Sequence, residues 1–100
     1  MDYFYFDASA LAKRYDREKG TEAVNHIFRN TPWTQLMCLT IGATEVVSIL
    51  VRKRNDGRMS PRAFSQAFIN LHDEVIHNPD FVTLPADDPT VIDSIGFIVR

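Results

Sequence analysis

Cysteine is nearly absent from this 100-residue chain. The single Cys38 excludes an internal disulfide, and its place in the apolar stretch Leu36-Met37-Cys38-Leu39 makes it a small buried hydrophobe rather than a nucleophile. Four glycines and five prolines are too few for a collagenous, low-complexity or linker-rich chain, and no internal repeat occurs. No apolar run approaches the roughly 18 residues that cross a bilayer. The start carries an acid and aromatics where a secretory leader has a basic segment and a long apolar one, so the expectation is a cytoplasmic protein with no membrane partner. A Gly-rich phosphate loop, a Gly-x-Ser-x-Gly elbow and cysteine pairs at zinc spacing are all missing, which removes the commonest nucleotide, hydrolase and zinc-finger signatures.

What is present is an ordinary globular composition, 45% hydrophobic and 24% charged, enough for a single domain with one core over residues 1–100. The net charge of -2 is unevenly spread. Residues 1–62 hold ten Lys/Arg against seven Asp/Glu, whereas residues 63–100 hold one against six. Arg52, Lys53, Arg54, Arg58 and Arg62 surround a single Asp56 and form the one polyanion footprint in the sequence. Cations at the end of a helix also complement its dipole, so a solvated helix end is an equal reading of the same residues.

The pattern along the chain alternates short apolar runs with helical periodicity. Tyr3-Phe4-Tyr5-Phe6 reads as a buried strand, because aromatics suit a pleated packed surface and the run is too short for a helix. Ala8, Leu11, Ala12 and Tyr15 give a helical face, and Val24, Ile27 and Phe28 give another, stopped by Asn30-Thr31-Pro32. Gln35 to Leu39 predicts a second strand, with Thr40 as N-cap of a helix from Ile41 to Arg54, broken at Asn55-Asp56-Gly57. Ser60-Pro61 opens a further helix with Phe64, Ala67, Phe68, Leu71 and Val75 on its buried face, ended by Asn78-Pro79. Phe81 to Leu84 predicts a third strand. Asp88-Pro89 then opens a last helix whose face is Val91, Ile92, Ile95, Ile98 and Val99, running to Arg100 without a stop signal, as if the chain ended mid-fold. Strands alternating with helices predict an α/β fold of three layers, α/β/α, around a parallel sheet.

Two acids stand where chemistry could use them. Asp7 follows the first strand, and Glu45 lies in the first turns of the helix after the second, so both approach one edge of the sheet, where open α/β folds bind ligands. Carboxylates converging on a pocket suit Mg²⁺ or Mn²⁺, which take oxygen ligands and keep waters that a phosphate displaces. The hydroxyl of Ser9 could orient a carboxylate or a bound water. The structural alternatives stand beside this: Asp7 and Ser9 both suit plain helix initiation, and an acid near a helix start is favoured by the dipole. Thr44, Glu45, Ser48 and Arg52 share a polar stripe opposite Ile41, Val46, Val47, Leu50 and Val51, facing either a cleft or water. His72 and His77 are five apart, which misses the same-face spacing of an α-helix, and His26 has no partner at ligand spacing.

The segments YFDASALAKRY and TIGATEVVSILVRKR together resemble the PIN domain, in particular the VapC-like ribonuclease toxins of bacterial toxin–antitoxin pairs. Asp7 matches the family's first metal-binding acid, Glu45 its second, preceded by Thr44, and Ser9 the small hydroxyl residue beside the first acid. The resemblance implies a Mg²⁺- or Mn²⁺-dependent endoribonuclease with Asp7 and Glu45 catalytic and metal-binding, supported by Ser9 and Thr44. It also implies RNA held by Arg52, Lys53, Arg54 and Arg58, a cognate antitoxin and self-association. The family's later acid-bearing helix, with its Asp-x-x-His-x-Ala type motif, has no match here, so the expectation is an incomplete PIN-like domain lacking the last strands, with an exposed edge on the first strand. The alternative is a non-catalytic interaction module that dimerises or binds an antitoxin. An aspartyl-phosphate enzyme of the haloacid-dehalogenase kind would want a second Asp two residues after Asp7, where Ser9 stands.

Overall fold

A computed structural model describes residues 3–85 and 97–99. Strand β1 (Phe4–Phe6) leads into α1 (Ala8–Tyr15) and α2 (Thr21–Asn30); a single 3₁₀ turn (Trp33–Gln35) precedes β2 (Leu36–Leu39). The chain continues through α3 (Thr40–Asn55), α4 (Pro61–Leu71), a π-helical turn (His72–Ile76), β3 (Val82–Leu84) and β4 (Phe97–Val99). The four strands form one parallel sheet in the order β3-β2-β1-β4. The predicted α/β class and parallel sheet are therefore present.

The sheet explains its own sequence. Paired residues of parallel strands share a face, so Phe4, Phe6, Leu36, Cys38 and Val99 lie on one side and pack into the core, where Phe6, Leu36 and Cys38 are wholly buried. The helices close that side: α1 packs against α2, α3 and α4, and Leu11, Val46, Leu50 and Leu71 are fully buried. The strands β1, β2 and β3 are added in one direction, and right-handed crossovers, the general rule, would put α1–α4 in a single layer, in keeping with their mutual packing. Tyr5, Met37, Val82 and Ile98 occupy the other face, and Met37 is buried there. A sheet apolar on both faces is what a three-layer fold requires.

Aromatic packing fixes the α2 end of the core. The Phe28 ring lies 5.2 Å from Phe6, 5.9 Å from Trp33 and 6.3 Å from Phe81, with the Arg14 guanidinium 4.6 Å above it. Arg14 in turn forms a forked pair with Glu74 at 3.2 and 2.7 Å and donates to Asn25 Oδ1 at 2.8 Å. The hydrogen bond to Glu74 raises the Arg14 pKa despite partial burial.

Several expectations are corrected. Phe97–Val99 is a strand paired with β1, not the end of a helix, and β1 is consequently an interior strand with no open edge. A three-residue apolar run carries too little periodicity to separate the two states, and Ile98 and Val99 fitted a helical face only because the pattern was extended across them. The sheet thus has a strand beside the first one that the resemblance had placed among the missing elements. The predicted helix start at Asp88-Pro89 and the face at Val91, Ile92 and Ile95 lie outside the described residues. Thr40 does not cap α3: Leu39 holds that position, and the Thr40 hydroxyl donates to the Leu84 carbonyl at 3.3 Å, a cross-strand partner that a local reading cannot see. Ile41, expected on the buried face, is half exposed, because Ala43, Val46 and Leu50 define the buried line of α3.

The α3 terminus is a Schellman motif. Gly57 adopts φ +78°, its amide donates to the Arg54 carbonyl, and the Arg58 amide donates to Lys53. Ser60 caps α4 by accepting from the Ala63 amide at 3.1 Å, with Pro61 in the first turn as expected.

Candidate functional site

Parallel sheets place the carboxyl ends of all strands along one rim, and the helices that follow begin there. Asp7 stands at that rim directly after β1, and it is the N-cap of α1: its Oδ1 accepts from the Ala10 amide at 2.9 Å. Its own amide donates to the Val99 carbonyl at 3.1 Å, which seats it on the junction of β1 and β4. The strand order reverses direction at that junction, since β2 and β3 are added on one side of β1 and β4 on the other. Such a switch point is where open α/β sheets leave a crevice for ligands. The two readings of Asp7, cap and ligand, are compatible, because one oxygen makes the cap and the other has no hydrogen-bond partner among the described residues.

Glu45 begins from the neighbouring strand. It lies in the second turn of α3, exposed, on the row that continues through Ile49 and Arg52 at helical spacing. That row borders a groove of ≈ 260 Å³ lined by Ser9, Ala12, Glu18, Ile49, Arg52 and Lys53 between α1 and α3. Asp7, Ser9 and Glu45 thus start from the same rim and the same helix pair, with Arg52 about two turns further along α3. Thr44 does not join them. Its hydroxyl donates to the Thr40 carbonyl at 3.4 Å, and its side chain lines a different groove, between α3 and α4.

The basic cluster is largely committed within the fold. Lys53 bonds Asp16 at 2.8 Å and Glu18 at 2.7 Å, and its side chain is only 11% exposed. Burial lowers the Lys53 pKa, and the hydrogen bonds and charges of Asp16 and Glu18 outweigh that and raise it. Arg58 pairs with Asp56 at 2.8 Å; Arg54 stacks over Phe64 at 4.4 Å and approaches Asn55. Arg52 makes no ion pair among the described residues and is exposed in the groove with Ser9. Of the four cations expected to hold RNA, Arg52 and Lys53 line the α1–α3 groove, and of these two only Arg52 makes no ion pair among the described residues, for a reason the sequence conceals: Asp16 and Glu18, far from Lys53 in the chain, fold against it.

By donor chemistry alone, a hard cation is the kind of ion that the two rim acids would hold. Carboxylate oxygens of Asp7 and Glu45 are the ligand type Mg²⁺ and Mn²⁺ prefer, and such ions are often held by one or two carboxylates with waters and substrate phosphate completing the shell. No three His, Cys, Asp or Glu side chains converge among the described residues. Cys38 is no competitor, since burial pushes its thiol up to about 12.

Two features escaped the sequence reading. One is the α3–α4 groove, ≈ 340 Å³, lined by Thr40, Ala43, Thr44, Val47, Phe68, His72, Ile76 and Thr83. The other is the π-helical turn, in which the His77 amide donates to the His72 carbonyl at 2.8 Å. That spacing of five brings the two imidazoles side by side, with ring centroids 5.4 Å apart and planes inclined by 33°, where α-helical spacing predicted separation. Alternating apolar residues gave no signal of it. No helix among the described residues is long and apolar enough to cross a membrane. No family model, curated protein or solved structure matches the chain.

Proposed function

We propose that this chain is a PIN-type endoribonuclease domain of a toxin–antitoxin kind, acting in the cytoplasm on RNA with Mg²⁺ or Mn²⁺. The observation that carries the reading is Asp7 at the β1/β4 switch point, rigidly held through Ala10 and Val99. Fixing the carboxylate before substrate arrives reduces the reorganisation needed when charge develops.

Asp7 offers its second oxygen, and Glu45 its exposed carboxylate, as anionic ligands at one rim. The bound divalent ion would polarise the phosphodiester and lower the pKa of its water. Ser9 in the groove can donate a hydrogen bond to a phosphate oxygen or to that water, and Arg52 can pair with a flanking phosphate. The cap bond from Ala10 holds Asp7 in one rotamer throughout.

The test is Mn²⁺-dependent cleavage of structured RNAs by the purified chain beside Asp7→Asn and Glu45→Gln. Activity in the parent and its loss in both variants, with unchanged circular dichroism, is the expected result. Cleavage that survives Asp7→Asn overturns the reading.

A specific observation favours the second reading, an interaction module. Phe68 and Ile76, both substantially exposed, border the apolar α3–α4 groove, with exposed Ile69 beside them on α4. Self-association or capture of an antitoxin helix would cover them. A defined dimer mass with no response to metal and no cleavage would select it.

A further inference from the structure

The π-helical turn creates a pair of imidazoles with no role in the proposed nuclease chemistry. The His72 and His77 rings are neighbours, with centroids 5.4 Å apart and planes inclined by 33°. Two imidazoles sharing one ion, each with a metal–nitrogen bond of about 2.0–2.1 Å and a roughly tetrahedral angle, place their centroids about 5 Å apart. The observed separation is within the span of such a pair, and the exposed His77 ring has to turn its edge toward the ion that His72 binds.

Protonation is matched as well. His72 Nδ1 lies 2.9 Å from the Phe68 carbonyl. A carbonyl only accepts, so Nδ1 is the donor in this contact, and Nε2 is the nitrogen a neutral ring would have available for a metal. A ligating histidine that donates its other N–H to a backbone carbonyl is the usual supporting contact in metal sites, fixing tautomer and ring orientation. Phe68 also lies against the His72 ring at 4.2 Å between centroids, which restrains it further. His77 is exposed, so an ion reaches the pair from solvent.

We infer that His72 and His77 form a two-imidazole site for a borderline divalent ion, Zn²⁺ or Ni²⁺, with water in the remaining positions. Imidazole selects this class over Mg²⁺, so the site is chemically separate from the carboxylates at the sheet rim. Occupancy would tie the end of α4 to the segment leading into β3 and brace the rim of the α3–α4 groove, which His72 lines.

Isothermal titration of the full chain with Ni²⁺ and with Zn²⁺ tests this. One equivalent should bind, undisturbed by excess Mg²⁺. Chelation predicts that His72→Gln, His77→Gln and the double substitution all weaken binding by a similar factor of about ten or more, comparable to losses on disturbing a metal shell. His26→Gln, remote on α2, should leave it unchanged. His77 is at the surface, so its variant folds and keeps the test decisive even if His72→Gln does not. No stoichiometric binding, undiminished binding by His77→Gln, or an equal loss in His26→Gln each overturns the inference.

Discussion

Asp7 carries two demands in one carboxylate: it caps α1 and stands at the sheet's switch point. The demands are separable by substitution. Asn is as good an N-cap as Asp, whereas Ala removes the acceptor and costs about 1 kcal/mol. Asp7→Asn should therefore unfold in urea close to the parent's midpoint, and Asp7→Ala should fall below it by that amount, while both lose Mn²⁺-dependent cleavage. Equal stability of the two variants would show that the Ala10 contact contributes nothing. Asp7 was legible in the sequence because a strand end and a helix start are both local patterns. Lys53 was not: its exposure and its charge are decided by Asp16 and Glu18, more than thirty residues away.

At the level of the element, α3 shows how one residue type has opposite worth at two positions. Gly42 lies inside the helix, where a Cβ would meet only the Leu39 Cβ at 3.8 Å, ordinary contact. Gly57 has open space around it but a φ of +78° that a side chain disfavours. Gly42→Ala is expected to stabilise by about 0.5–1 kcal/mol through the unfolded chain's entropy and helix propensity, and Gly57→Ala to destabilise by about 1 kcal/mol, both read from urea midpoints. A stabilising Gly57→Ala would mean that the Schellman turn is dispensable. The π-helical turn makes the complementary point. Phe64, Ala67, Phe68 and Leu71 mark α4 by a period near 3.6, and that same period misplaces His77 relative to His72, because inserting a residue in the last turn rotates everything beyond it.

For the whole molecule, the buried core sets an alkaline limit. Burial raises the Cys38 thiol from its ordinary 9.0 to about 12. The Tyr15 hydroxyl, buried without a hydrogen-bond partner among the described residues, is also pushed up, first by burial and then by the charge of Glu74. Both folded pKa values lie above the unfolded ones, so below pH 9.0 the contribution is fully present. As pH rises from there, the unfolded chain releases a thiol proton that the folded chain retains, and stability falls until about pH 12. The urea midpoint should drop across that range, and Cys38→Ala should flatten the drop near its start whatever its effect at neutral pH. Tyr15→Phe should remove a further part of the slope above pH 10.0 and cost little at neutrality, since no bond is lost. An unchanged slope in both variants would show that other groups govern alkaline unfolding.

The sequence by itself determined the strands at Phe4–Phe6, Leu36–Leu39 and Val82–Leu84, the helices between them, the cap at Ser60 and the two rim acids, all of which rest on short-range periodicity and local hydrogen bonding. Tertiary structure alone decided that β4 lies beside β1, and with it that Asp7 occupies the switch point, because pairing between residues more than ninety apart leaves no local pattern. It also decided which cations are spent on internal acids, which face Thr44 takes and that two histidines meet. Those outcomes depend on which distant backbone and side-chain groups the collapsed chain brings within hydrogen-bonding range, and burial then fixes them.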